Sequence, residues 1–528
     1  MGKIARYLNQ LIIGNVFDTP DILEAYSSDH SILKIKPKFV ALPESTEDVR
    51  KLIRFCYQLA GKNIEIPVAV RGSGLDETGA DLSNGLVIST EKLNNLLEFD
   101  KRERLVRVQS GITLKELNTA LSLNGLTVPI GGHDYETIGG LISNCPRDDY
   151  SSKYGGISNY VERIEAVLPN GDVLQTGRYS AYAAKKKAKE KTLEGEIIRK
   201  LLKLTKDNES LLKNIFKSSH NLAGYPSVAR AVRNGSVDLA PLFYGAQGTL
   251  GVITEVILRA VPIPKKAKRT VATFESFDMA QRFLEMAEAL KPCELNIYDI
   301  EIIKTAEETG KKLNVITNKL ENGYVVSARF DKRAKRCLKK VSSVKKVLPK
   351  STKLVVESDK TQVALNEFEN SLISFLNYTR SGERIPVLTN FYIPPENLQR
   401  FIQDLEVVSR SLRMDLSLYG SYSASNYSLR PKFNVESENF SKQVVAFLRA
   451  GAYIINRQGG TLAGGTPEGR VKALVTNVSM SESEMNLYTE IKKAFDKYNI
   501  LNSGAKTGAN ARFTVSHFRT TGSSKIML

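Results

Sequence analysis

Tryptophan is absent from this sequence, and histidine and cysteine are scarce. The four cysteines, Cys56, Cys145, Cys293 and Cys337, are scattered with no Cys-x-x-Cys pair. That spacing excludes a disulfide framework and a cysteine-ligated iron–sulfur cluster within the chain, and it suits a reducing compartment. The four histidines, His30, His133, His220 and His517, are equally dispersed. No run of about 18 apolar residues occurs, so no transmembrane helix is expected. The opening MGKIARYLNQLIIGNVF is amphipathic without a sustained apolar core, so no signal peptide is expected. Zinc-finger, helix-turn-helix and RNP patterns are missing too.

What is present is a chain of 528 residues, 42% hydrophobic and 25% charged, long enough for two or three domains with a sizeable core. Its net charge is +18. Lysines cluster at Lys185 to Lys191, Lys265 to Arg269 and Lys332 to Lys346. With no nucleic-acid motif beside them, nucleic acid is not an expected partner; a cytoplasmic protein with peripheral contact to an anionic membrane is.

Strands and helices alternate irregularly, which predicts an α+β fold. Pro37 to Val49 reads as a strand and then a helix start, with Ser45 as the N-cap of a helix through Leu52, Phe55 and Tyr57, and Ile64–Val70 reads as a second strand. The stretch that follows, Arg71-Gly-Ser-Gly-Leu-Asp-Glu-Thr-Gly79, has two glycines in three residues. Such a turn lets backbone N–H groups converge on one spot, as a phosphate or diphosphate requires. Gly85–Thr90 and Leu105–Gln109 read as strands, Thr113–Leu123 as a helix, and Pro169-Asn-Gly-Asp172 as a hairpin turn. Pro262 and Pro264 with Lys265 to Arg269 mark a linker. Beyond it lie strands at Thr270–Phe274, Tyr324–Phe330 and Leu388–Ile393, and helices at Met279–Leu290, Glu396–Ser411 and Glu484–Phe495.

Five blocks in fixed order carry a resemblance: Arg71-Gly-Ser-Gly-Leu with Gly79; Thr137-Ile-Gly-Gly140 with Asn144; Tyr154-Gly155; Gly245-Ala-Gln-Gly-Thr-Leu-Gly-Val-Ile-Thr254; and Phe495 to Gly504. Together they resemble the FAD-binding family of the vanillyl-alcohol oxidase type, in the branch of D-lactate dehydrogenase and the glycolate oxidase FAD subunit. The resemblance implies a PCMH-type FAD-binding domain plus a second α/β substrate (cap) domain of the FAD-linked oxidase C-terminal type. Expected boundaries are an N-terminal segment at 1–35, the FAD domain at 36–264, the cap at 265–480, and a C-terminal segment at 481–528 that packs back on the FAD domain. The cofactor residues it implies are Arg71, Gly72, Ser73, Gly74, Leu75 and Gly79; Thr137, Gly139, Gly140 and Asn144; Tyr154 and Gly155; and Gly248, Thr249, Gly251, Val252 and Ile253. Some members attach flavin through a histidine beside the glycine turn. Here Leu75 and Asp76 stand there, so non-covalent FAD is expected, with His133 as a polar loop residue near it.

The sequence departs from the family in the second half. The branch carries Gly-His-x-x-x-Gly-x-x-His-x-Arg-Pro and a later Glu-His pair that hold a divalent metal. Here the two histidine positions are Ser421 and Ser428, and the pair is Gly465-Thr466, while Arg430, Pro431, Gly459, Gly460, Gly469 and Arg470 persist. Hydroxyls are poor ligands for zinc or manganese, so no catalytic metal is expected. Asn390 stands where an aspartate is frequent, and Ser503 where proline is. Glu468 is then a candidate base, Tyr419 a candidate acid or base, and Arg430 and Arg470 candidate binders of a carboxylate or phosphate. Tyr392, Tyr422 and Tyr427 are candidates to line the pocket. The expected function is FAD-dependent oxidation of a hydroxyl carbon in a small anionic or polyhydroxylated metabolite, with hydride passing to flavin N5. Electrons would leave to a quinone, a carrier protein or O2. The alternative is a catalytically inactive flavin-binding protein with a binding or assembly role.

Overall fold

A computed structural model describes residues 2–217, 220–264, 267–308, 321–344, 348, 352–358, 360–376 and 384–519. Lys265 and Lys266 of the expected linker, and Lys345 and Lys346 of the third lysine cluster, lie outside these residues.

The amino-terminal half holds two larger sheets, beside a three-stranded and a two-stranded one. In the first, Phe39–Leu42, Leu86–Ser89 and Val68–Arg71 run parallel, and Asn15–Phe17 joins antiparallel at the edge. The first 35 residues therefore form more than a helix and a loop. Asn9 explains the added strand: its amide exchanges hydrogen bonds with the main chain of Val16 and carries the Lys3–Leu11 helix into it. The Thr46–Ala60 helix is capped by the Ser45 side chain, and Val49, Leu52, Ile53 and Cys56 face inward at helical spacing. The second sheet is antiparallel, in the order Leu96–Asp100, Leu105–Gln109, Val252–Arg259, Val161–Val167, Val173–Gln175.

The carboxy-terminal half is built on seven antiparallel strands. Their order is Leu354–Val356, Lys268–Phe274, Tyr324–Phe330, Glu294–Asp299, Leu416–Ser421, Asn426–Pro431, Leu388–Tyr392. Alternation gives this sheet two unlike faces. Leu418, Tyr427 and Leu429 join the large apolar core with the helices Phe277–Glu288, Leu398–Leu412 and Phe440–Arg457. The opposite face of the same two strands is polar: Tyr419 pairs across from Ser428, Ser421 from Asn426, and Ser417 from Arg430. Asn390, at φ 55°, interrupts the register of the edge strand.

The last helix, Glu482–Phe495, returns to the amino-terminal half, where Leu487, Ile491 and Phe495 enter its core. Leu501 then bridges Val68 in parallel. Lys492 fixes this return, donating to Leu501 O, Thr249 O and Asp496 at 2.7 Å each. Among the described residues no helix is long and apolar enough to cross a membrane.

Candidate functional site

A cleft opens where Val68–Arg71 ends. Val68 and Ala69 are buried, and Gly74 then takes φ 75°. Gly72, Ser73, Gly74 and Leu75 form one wall; Thr137, Gly139, Gly140 and Asn144 form a second; Gly248, Gly251 and Ile253 close the floor. Glycine is required by contact as well as by φ. A Cβ on Gly72 would stand 2.3 Å from Thr137 Oγ1, and one on Gly74 2.2 Å from Arg71 Nη2. Thr137 caps the short Ile138–Asn144 helix through Gly140 N–H at 3.2 Å.

The donor set fits a diphosphate. Among the described residues, the N–H groups of Gly72, Ser73, Gly74 and Leu75 have no intramolecular acceptor, so a curved run of donors faces the cleft. No lysine or arginine lines it; the anion would be met by main chain. Three carboxyls do line it: Asp76, Asp81 and Glu136. Burial raises all three, Glu136 to about 7 and Asp81 well above the usual range, which reduces the negative charge a diphosphate would meet. Asp76 is spoken for: it accepts from Thr78 N, Thr78 Oγ1 and Ala80 N, and from Asn144 Nδ2 at 3.2 Å.

Gln247, at φ 51°, ties the cleft to the cap. Its Nε2 reaches Thr78 Oγ1 and Asn144 Oδ1 at 3.1 Å each, and its Oε1 accepts from Gly469 N at 3.0 Å. Gln247 lies inside the Gly-Ala-Gln-Gly block, where glycine spacing drew attention away from its side chain. Asp81 and Glu136 had no signal beyond standing beside the glycine blocks.

Other expected cofactor residues stand off the cleft lining. The Arg71 side chain donates to Ser28 O, pairs with cleft-lining Asp81 at 3.8 Å and lies over the Tyr26 ring. Gly79 is packed against Leu33. The Thr249 hydroxyl is buried between Ala246 O and Tyr225. Val252 belongs to the core beneath the first sheet. Tyr154 donates to Asp331 of the cap, and Gly155 lines a neighbouring cavity. His133 is a loop residue whose ring nitrogen accepts from Tyr135 N; burial lowers its pKa.

The four candidate catalytic residues divide into two pairs. Glu468 is fully buried, with one carboxylate oxygen accepting from Gly224 N at 2.8 Å and the other paired with Lys506 at 3.0 Å. Arg470 spends its guanidinium on Leu82 O, Ser503 O and Asn502 Oδ1. Both hold chain segments together; neither lines the cleft. Arg430 and Tyr419 lie on the polar sheet face instead. Arg430 is 1% exposed, pairs with Glu77 at 2.9 Å, and reaches the Tyr419 hydroxyl at 3.3 Å. Glu77 adjoins cleft-lining Asp76, so this cluster bridges the glycine loop and the cap. Burial raises both Glu77 and Tyr419, and Arg430 opposes each shift. Tyr427 and Tyr422 were expected in the pocket, but strand alternation puts Tyr427, and the turn after Ser421 puts Tyr422, in the apolar core. Tyr392 stacks on His220.

On these two strands Ser417 Oγ, Ser421 Oγ and Asn426 Oδ1 are buried without a hydrogen-bond partner. Two of the positions that carry metal ligands in the resembled branch have other partners here. Ser428 Oγ accepts from Asn390 N, and Thr466 receives the Lys472 ammonium at its carbonyl and hydroxyl.

Residues 37–177 match the model of the FAD binding domain, and residues 263–505 match that of the FAD linked oxidases, C-terminal domain. The chain belongs to the FAD-linked oxidoreductases. FAD is thus the cofactor, and the seven-stranded sheet lies within the oxidase C-terminal domain. The chain is 25% identical to the D-2-hydroxyglutarate dehydrogenase of Pantoea ananatis over 90% of its own length, but spans only 48% of that relative. Against the glycolate oxidase subunit GlcD of Bacillus subtilis it is 24% identical, covering 90% of both chains. In fold, this FAD-linked oxidoreductase is similar to the 4-ethylphenol oxidase from Gulosibacter chungangensis, at TM-score 0.66 and 15% identity over 94% of this chain and 95% of that one.

Proposed function

We propose that this protein is a metal-independent dehydrogenase of a small 2-hydroxy acid or related polyhydroxylated anion, with FAD held non-covalently. The observation that carries the reading is the buried polar face of the cap sheet. Leaving a buried oxygen without a hydrogen bond costs about 1–3 kcal/mol, and two such oxygens on the directly paired residues Ser421 and Asn426 mark a place built for a polar guest. The names of the relatives, D-2-hydroxyglutarate dehydrogenase and glycolate oxidase subunit GlcD, favour a hydroxy acid as that guest.

Bound FAD would accept the hydride from the hydroxyl-bearing carbon. The chain's own residues have the remaining tasks. Arg430 supplies positive charge at the seam between glycine loop and cap. Glu77, hydrogen-bonded to Arg430, is the group placed to take the hydroxyl proton, with the protonated Tyr419 hydroxyl beside it to hydrogen-bond the substrate. Glu468 and Arg470 keep the walls in register. The oxygens at Ser421 and Ser428, in place of imidazoles, support substrate binding by hydrogen bonds without a metal.

The test is anaerobic titration of the FAD-loaded protein with D-2-hydroxyglutarate, glycolate and D-lactate, with metal removed by chelation. Bleaching of the visible flavin band by one of them is the expected result. A band that dithionite bleaches but no hydroxy acid or sugar does would overturn the reading in favour of a catalytically inactive flavin-binding protein.

A further inference from the structure

A second cavity, of about 240 Å³, lies past the Cys145 cap of the Ile138–Asn144 helix. Seven helical residues at about 1.5 Å each put it about 10 Å from the glycine-lined end. Arg147 and Arg230 line it, with the amides of Asn159 and Asn221 and the apolar walls of Phe216 and Leu222. No aspartate or glutamate lines it among the described residues. The cavity is therefore cationic, polar at one side and apolar at the other.

Arg147 is held in place before any ligand arrives. Its N–H donates to Gly465 O at 2.7 Å, and its carbonyl accepts from Asn426 Nδ2 at 2.7 Å, so two segments of the cap grip its main chain. Its Nη1 lies 2.5 Å from His220 Nδ1. A guanidinium only donates, so Nδ1 is the acceptor and the imidazole is neutral with its proton on Nε2. The His220 ring is fixed in turn by stacking on Tyr392, 4.1 Å between centroids and 6° between planes. Arg147 thus has a neutral partner where a buried cation ordinarily has a carboxylate, and its Nε is buried with no acceptor at all. Burial without a counter-ion lowers its pKa.

We infer that this cavity is an oxyanion site, in which Arg147 and Arg230 take the carboxylate or phosphate of a small metabolite. Two guanidinium groups with no carboxylate beside them suit either group in charge-assisted hydrogen bonds. The inference rests on the hydroxy-acid reading for its link to catalysis. The contacts of Arg147 with Asn426 and Gly465 set the site against the polar cap face, where the substrate's anionic end would be gripped. No role is asked of Arg147 in the transfer itself; it positions.

The test is calorimetric titration of the FAD-loaded protein with inorganic phosphate and, separately, with D-2-hydroxyglutarate, in the wild type and in Arg147→Gln and Arg230→Gln. Both variants are expected to keep their flavin absorbance and to bind the organic acid at least about tenfold more weakly. Binding of phosphate alone, lost in Arg147→Gln, would support the site with phosphate as the group it takes. No binding of either probe, or equal affinity in all three proteins, would overturn it. The two readings separate cleanly. Arginine-dependent binding without flavin bleaching keeps the site and sinks the oxidation. Bleaching with KM unchanged in Arg147→Gln keeps the oxidation and sinks the site.

Discussion

The FAD cleft and the polar face of the cap meet along one seam yet are made of different material. The cleft is a main-chain device. Its walls are glycines, its donors are N–H groups, and no basic side chain lines it. The cap face is a side-chain device, in which Ser417, Tyr419, Ser421, Asn426, Ser428 and Arg430 take their places by strand alternation. A main-chain site depends on a few residues being small, so its sequence can hardly vary. A side-chain site can change its chemistry one residue at a time without disturbing the strand beneath. The same cofactor cleft can therefore stand opposite a cap whose ligands have become hydroxyls.

Removing single charges would sharpen that comparison most. Arg430→Met strands Glu77, and Lys506→Met strands Glu468; each should lower stability by about 3–5 kcal/mol in chemical denaturation, because a buried charge loses its partner. The pair should part in turnover, with substrate-driven flavin bleaching lost in Arg430→Met and kept, per folded molecule, in Lys506→Met. Equal retention would erase the distinction between a working ion pair and a structural one. Gly74→Val attacks the cleft directly, setting a branched side chain at φ 75° against the Arg71 guanidinium. FAD should bind about 100-fold more weakly, roughly 3 kcal/mol, by flavin fluorescence titration. Gly177→Ala, with open space around it, should bind FAD as the wild type does.

A smaller effect comes from Glu136, which burial raises to about 7. A nearby diphosphate favours its protonated form further, so binding takes up a proton and FAD affinity falls as pH rises through 7. Glu136→Gln should flatten that profile. The same shift contributes stability to the empty protein that is full below the ordinary glutamate pKa and is lost as pH rises through about 7. Least of all, Ser481→Ala removes the capping box of the last helix, at about 1 kcal/mol in thermal unfolding with flavin content unchanged.

The family and the cleft were legible because glycine spacing is a backbone instruction, and Gly72, Gly74, Gly139 and Gly140 stand where the motifs put them. The cap at Ser45 was legible for the same local reason. Glu468 and Arg470 misled because a charged residue in a conspicuous block looks the same whether it meets a substrate or a buried partner. Their partners, Lys506 and Asn502, lie more than thirty positions away, beyond any local pattern. His220 gave no sign either: its meaning comes from Arg147 and Tyr392, which only folding brings to it.

Asn502 carries a consequence for biosynthesis. Its side-chain amide donates at once to Ala80 O beside the glycine loop and to Gln247 O on the cleft floor, while its carbonyl takes the Arg470 guanidinium. The pocket that opens with residue 72 is thus closed by residue 502. A nascent chain still attached to the ribosome short of that point has its glycine motif in hand but lacks the clasp. Flavin loading therefore waits until residue 502 has been made and has folded back, and stalled chains that stop before it should emerge colourless where chains that include it take up FAD.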